Sequence, residues 1–412
     1  MTLRRTQAAG ARCLLRRRAL ALLACTAGCA WGTARAAAAD STAPVLRIGP
    51  GQALKTPSAA AAVAPSGAVV EIEAGDYVGD VAVWTQERLT LRAVGGPVQL
   101  VADGKAAEGK AIWVLRGGRF DIEGIHFTGA RVAASNGAGI RLENGQLLVR
   151  HCRFTDNENG ILTSNFRTVE LDVQQCEFGH NGHGDGQSHN LYAGSIGRLA
   201  VTGSWFHHAR RGHLIKSRAA HNEVRYSLLA DGEGGQASYE LEFPSGGVAI
   251  AVGNLIEQAA TTQNPHLVSY GVEGLTWERN ELFLVHNTLV DRRSDGGVFL
   301  RVAPGAGTLH CLNNLLLGKG VAGPALGEEA QGNFRVTPGD LVANKQGGLT
   351  LGPKAYARGR SVHPRVTGQA DLAPTHQYAH PSAMVRLTPP ARDPGAFQRL
   401  ARARTGQPLT RP

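Results

Sequence analysis

A short pattern recurs along the middle of the chain: a small or polar residue, a large apolar residue two positions later, then a turn rich in Asn, Asp, Gly or His. It reads Cys152-Arg153-Phe154, Cys176-Glu177-Phe178, Ser204-Trp205-Phe206, Ser227-Leu228-Leu229, Asn254-Leu255-Ile256, Asn287-Thr288-Leu289 and Asn314-Leu315-Leu316, with a looser first member at Ile125-His126-Phe127. From Phe127 onward the apolar anchors are separated by 27, 24, 28, 23, 27, 33 and 27 residues. Such a period marks a chain that builds its core by stacking like units. Each interval holds two or three short apolar or β-branched runs broken by Gly, Asn or Asp, such as Gly139-Ile140-Arg141-Leu142 and Gln146-Leu147-Leu148-Val149, with no room for a crossover helix in every repeat. Strands joined this way satisfy their hydrogen bonds by pairing with the same strand of the next repeat, which produces an all-β parallel solenoid with its anchors stacked about 4.8 Å apart. The 53 glycines and the low aromatic content of 6% suit a chain of many turns.

The formal net charge of +10 suggests nucleic acid until it is located. Seven arginines (Arg4, Arg5, Arg12, Arg16, Arg17, Arg18 and Arg35) and one acid, Asp40, lie within the first 40 residues, so the remainder is only mildly basic and shows no basic stripe. No nucleic-acid partner is expected. Arg16-Arg17-Arg18, the apolar run from Ala19 to Ala24 and the small residues Ala34 to Ala39 have the three parts of an export signal, twin-arginine-like in its arginine run. Leu22-Leu23-Ala24-Cys25 also reads as a lipoprotein box. No later stretch approaches 18 uninterrupted apolar residues, so a periplasmic or secreted protein without a membrane-spanning segment is expected. The division expected is 1–39 export signal, 40–335 solenoid and 336–412 terminal coils with an irregular tail. Beyond the signal only Cys152, Cys176 and Cys311 remain, neither a disulfide framework nor a metal set. Cys152 and Cys176 share a slot in neighbouring coils and read as stacked buried thiols, with a disulfide as the alternative.

The N-terminal part runs through Ile48, an alanine-rich stretch from Ala53 to Ala64, Gly67 to Tyr77 with a Gly75-Asp76-Tyr77 end, and Leu89-Thr90-Leu91-Arg92-Ala93. This resembles the opening of the pectate-lyase-like right-handed parallel β-helix superfamily, in which a short helix caps the solenoid. Arg392-Asp393-Pro394-Gly395-Ala396-Phe397 resembles the closing segment of its secreted bacterial members. The resemblance covers roughly residues 44–400 and implies a right-handed parallel β-helix with a short N-terminal capping helix; a monomer is expected.

Turn lengths locate a working face. The turns at residues 179–188, 230–238 and 257–265 are longer than the others and should rise from one edge of adjacent coils. The strands that follow read His189-Asn190-Leu191-Tyr192, His213-Leu214-Ile215-Lys216-Ser217-Arg218, Tyr239-Glu240-Leu241-Glu242-Phe243 and His266-Leu267-Val268-Ser269-Tyr270. With Leu191, Leu214, Leu241 and Leu267 pointing inward, alternation sends Asn190, His213, Glu240 and His266 outward in one row, and Tyr192 and Glu242 in the next. Such a groove suits an extended polar polymer, with tyrosines stacking on sugar rings and cations holding carboxylates.

Secreted β-helix proteins with such grooves are commonly polysaccharide lyases, hydrolases or epimerases, so the resemblance implies a protein acting on an acidic polysaccharide, with β-elimination leading. Elimination needs a base, a carboxylate neutraliser and an acid. Lys216 or His213 is the candidate base, Arg218 the neutraliser and Tyr239 or Tyr192 the acid, while His189, Asn190, Tyr192, His266 and Tyr270 are candidate substrate contacts. Lys216-Ser217 resembles the Lys-Ser segment of chondroitinase-B-type and alginate lyases. In those enzymes a calcium-binding glutamate pair precedes the lysine and an arginine follows about one coil later. Here Glu240 and Glu242 follow Lys216 and the later arginine is missing, so Ca2+ enters only through the resemblance. Two alternatives stand beside the lyase: a glycoside hydrolase using Glu240 and Glu242, spaced compatibly for two carboxylates, and a non-catalytic glycan-binding or matrix-assembly protein. Asn254, Asn287 and Asn314 read as turn-ladder residues, His207, His208 and His221 as solvated turn residues, and the His180 to Asp185 segment as lacking metal-ligand spacing.

Overall fold

The computed structural model describes residues 43–262, 264–344, 347–366 and 372–400; the expected export signal and Cys25 lie outside them. The repeat closes into a right-handed parallel β-helix with three ladders of strands. One coil supplies Arg198–Thr202 to the first face, Trp205–His207 to the second and Ile215–Ser217 to the third. The next coil supplies His221–Arg225, Leu228–Ala230 and Leu241–Phe243 in the same order.

Every anchor read from the repeat falls in register. Phe127, Phe154, Phe178, Phe206, Leu229, Ile256, Leu289 and Leu316 are successive partners along the second face. The four phenylalanines stack face to face inside the solenoid, with centroids 5.0, 4.7 and 4.6 Å apart. Beyond the area each ring removes from water, a stacked pair adds about 0.5–1.5 kcal/mol.

The corner before this face has its own repeating cause. A residue in the left-handed region (His151, Gln175, Gly203, Tyr226, Gly253, His286 or Asn313) precedes each slot residue and reverses the chain within two positions. The slot residue then turns inward, where its backbone N–H must find an acceptor. In the middle coils a side chain from the next slot provides it: Ser227 N–H donates to Asn254 Oδ1 at 2.9 Å, Asn254 to Asn287 at 3.0 Å, Asn287 to Asn314 at 2.9 Å and Asn314 to Asn333 at 3.0 Å. Cys152 and Cys176 occupy the same ladder as free, buried thiols; the Cys152 N–H points at Cys176 Sγ at 3.4 Å and no disulfide forms. Burial pushes the Cys176 thiol well above its usual value.

The helix Pro57–Val63, with the Thr56 hydroxyl accepting from Ala59 N–H at 3.3 Å, packs against the first coils. At the other end, Phe334–Val336 is the last parallel rung on the second face. Two antiparallel hairpins follow, and Tyr378, Ala396 and Phe397 bury the outward-facing Leu228, Leu255, Val290 and Leu315. The tail thus covers an apolar outer strip of the solenoid. Among the described residues, no helix is long and apolar enough to cross a membrane.

Candidate functional site

The third face carries the site, and its register differs from strict alternation in one respect. Leu191, Ile215, Leu241 and Val268 are successive partners, which sets Leu214 beside Asn190 and Glu240 rather than beside Leu191. The chain turns a corner just ahead of these strands, so two consecutive residues face inward in each coil, such as Asn190 with Leu191 and Glu240 with Leu241. Three expected surface residues are therefore interior. Asn190 lies fully buried, its amide donating to the Phe178 and His207 carbonyls and its oxygen accepting from Asn181. Tyr270 is fully buried with its hydroxyl donating to the Gly247 carbonyl at 2.7 Å. Glu240 is fully buried with neither carboxyl oxygen hydrogen-bonded, and desolvation raises its pKa well above the carboxylate range. The Glu240/Glu242 pair of the hydrolase alternative is not assembled, because the two carboxyls lie on opposite sides of the wall.

Two rows flank these positions on the outer side of the wall, although His189, His213, Tyr239, Glu242 and Ser269, expected or aligned there, are themselves buried. One holds the rings of His189, His213, Tyr239 and His266, with successive centroids 4.5, 5.1 and 6.0 Å apart. The other runs Arg141, Leu162, Tyr192, Lys216, Glu242, Ser269 and Arg301 by backbone register. His213 Nε2 lies 2.8 Å from Glu242 Oε2, and Lys216 Nζ lies 3.2 Å from the same oxygen. Burial would raise Glu242, but the contacts with His213 and Lys216 outweigh it and hold the carboxyl below its ordinary value. Burial lowers His213 against the pull of Glu242, and lowers His189 further, with His213 and Lys216 adding to the effect. Both imidazoles are neutral near pH 7.

A residue the repeat gave no sign of completes the cluster. Glu273, in the loop after His266–Tyr270, receives Lys216 Nζ at 2.9 Å and is also bound by the Arg218 guanidinium, which in turn donates to the Tyr192 hydroxyl. The loop is fixed by Trp277, whose indole N–H donates to the Arg218 carbonyl at 3.1 Å while the Arg167 guanidinium lies 4.7 Å over its ring. Arg301, three rungs beyond Lys216, donates to the Tyr239 hydroxyl at 3.0 Å. Extending the Lys216 row by register finds Arg301; no periodic signal points to Glu273, which lies in a non-repeating turn. The long turns border a cavity of about 580 Å³ lined by Asp185, Arg211, Gln236, Ser238 and Asn264, and a second of about 370 Å³ is bordered by Arg141, Asp185 and Tyr192. The glutamate pair expected for calcium is split across the wall, and Glu242 is already held by a lysine and a histidine, so these two residues do not form a Ca2+ site.

The three histidines read as solvated turn residues have different surroundings. His207 is buried, His208 is half-buried against His180 and His207, and His221 is half-buried against Glu223 at 3.0 Å.

The architecture defines a right-handed parallel β-helix. Residues 102–228 match the family described as a right-handed β-helix region. Among solved structures, the chain is similar to a PL6 family alginate lyase, AlyGC, at 13% identity and a TM-score of 0.43, covering 66% of this chain and 39% of that one. It is similar to the pectate lyase Pel9A at 12% identity and a TM-score of 0.48, covering 87% of this chain and 97% of that one. The chain therefore spans well under two thirds of the alginate lyase's length. The search of curated proteins returned no match.

Proposed function

We propose that this chain is an exported lyase that cleaves a uronate-containing polysaccharide by β-elimination. The observation that carries the reading is the clamp of Lys216 and Arg218 on the carboxylate of Glu273. Two cations already hold a carboxylate at the outer surface of the third face, and a uronate carboxylate has the same chemistry. On this reading the sugar carboxylate takes the place of Glu273, and the cation pair stabilises the negative charge that develops on it. The adjacent His213–Glu242 pair accepts the C5 proton, the released electron pair forms the C4–C5 double bond, and the C4–O bond breaks. Tyr192, whose hydroxyl accepts from Arg218, protonates the departing oxygen. Of the ring row, the partly exposed His266 offers stacking surface to a neighbouring sugar.

The test is absorbance. Purified protein is incubated with alginate, pectate and glycosaminoglycans, and the ultraviolet band of an unsaturated uronate is followed. A rise on one polymer supports the lyase. Reducing ends without that band would replace it with hydrolysis, and retardation on a polymer gel without either product would make it a binding protein.

A further inference from the structure

Outside this site, at the corner where the second face ends, three imidazoles from two adjacent coils converge. Their ligating nitrogens all lie within 4.8 Å of one another. The register produces the meeting: Gly179 is the partner of His207, so His180 and His208 follow as the next pair. Both of those are in the left-handed region, with φ of 57° and 46°, and their rings stack at 4.8 Å. Stacking alone explains these two. It does not explain His207, whose ring stands at 82° to His180 and 83° to His208 and brings its Nδ1 to 2.9 Å from His208 Nδ1.

Two glycines make the space. A Cβ at position 179 would come within 2.1 Å of the His207 ring, and one at position 232 within 2.5 Å of the His208 ring. His207 is only 5% exposed, yet its Nε2 has no hydrogen-bond partner. It faces the Glu177 carboxylate at 3.6 Å, which favours the proton on Nε2 and leaves the Nδ1 lone pair facing the other two rings. A carboxylate behind the far nitrogen is the usual outer support of a metal-bound imidazole. Tetrahedral coordination at 2.0–2.1 Å sets ligand nitrogens roughly 3.3 Å apart, so movements of a few tenths of an ångström up to about 1.5 Å bring the three into place.

We infer that His180, His207 and His208 form a binding site for a borderline divalent transition-metal ion of the zinc and copper class. All three donors are imidazoles, which excludes the oxygen-seeking Ca2+ and Mg2+. His180 is exposed and borders an open cavity of about 280 Å³ with Arg210 and Gln236, so the fourth coordination position faces solvent.

The test is a calorimetric titration of ZnCl2 into the full chain without a histidine tag, at neutral pH. One equivalent should bind with micromolar or tighter affinity, and millimolar Ca2+ should not displace it. His180→Asn and His208→Asn are the informative variants, because Asn tolerates the left-handed backbone and removes the imidazole. Each should raise the dissociation constant at least tenfold with an unchanged circular dichroism spectrum, while His183→Asn binds as the parent does. Absence of saturable zinc binding, or a smaller loss in either variant, overturns the site. The polysaccharide assay does not enter this test, so the two proposals fail separately.

Discussion

Glu240 offers the most direct measurement of what the corner does to the site. Its carboxyl lies inside the solenoid without a hydrogen-bond partner, and its pKa is raised well above the ordinary value by desolvation first and by the charge of nearby Asp231 next. The sign follows from linkage: the native protein keeps the proton, whereas the unfolded chain releases it near pH 4.3. Native stability contributed by this group is therefore complete below about pH 4.3 and declines as pH rises toward the folded pKa. Between pH 5 and pH 7 the decline is up to about 2.6 kcal/mol, close to 1.4 kcal/mol for each pH unit. Glu240→Gln removes the titration while nearly keeping the shape. Urea unfolding of both proteins, followed by tryptophan fluorescence at pH 5, 6 and 7, should show the variant gaining on the parent steadily as pH rises. The same variant should keep its polysaccharide activity, because residue 240 does not face the polymer. Parallel stability profiles would refute the buried, protonated assignment. Loss of turnover with intact folding would return Glu240 to the active site.

Other perturbations read the remaining parts. Lys216→Gln should lower kcat by roughly 10²–10³-fold through loss of a preorganised charge at the carboxylate, measured by initial rates of double-bond formation. Glu273→Gln should free the cation pair and lower KM by about twofold to fivefold, the span of a partly exposed ion pair, with kcat little changed. Asn287→Ala leaves Asn254 N–H and the Ala251 carbonyl without partners and should cost about 3 kcal/mol in chemical denaturation. Phe178→Ala opens a gap between two stacked rings and should cost about 3–5 kcal/mol in the same assay, without changing the Lys216 region directly.

The repeat alone was enough to place all eight anchors, because an interior slot admits only large apolar side chains and each rung repeats the demand. The polar ladder of Asn254, Asn287 and Asn314 was legible for a related reason: a corner that buries a backbone N–H in every coil needs the same acceptor each time. That Tyr192, Lys216 and Glu242 lie side by side was legible because residues at the same register on stacked strands line up.

Where the chain bends, that inference loses its basis. Strict alternation holds within a strand and lapses at a corner, where Asn190 and Leu191, or Glu240 and Leu241, both turn inward. Local sequence therefore determined the solenoid, its ladders and the presence of a polar third face. Tertiary structure alone decided which polar residues reach solvent, brought Glu273 from a non-repeating loop onto Lys216 and Arg218, and set His180 beside His207 and His208. Those outcomes depend on how one coil stacks on the next, and a contact between residues 57 or 27 positions apart in the chain has no period to announce it.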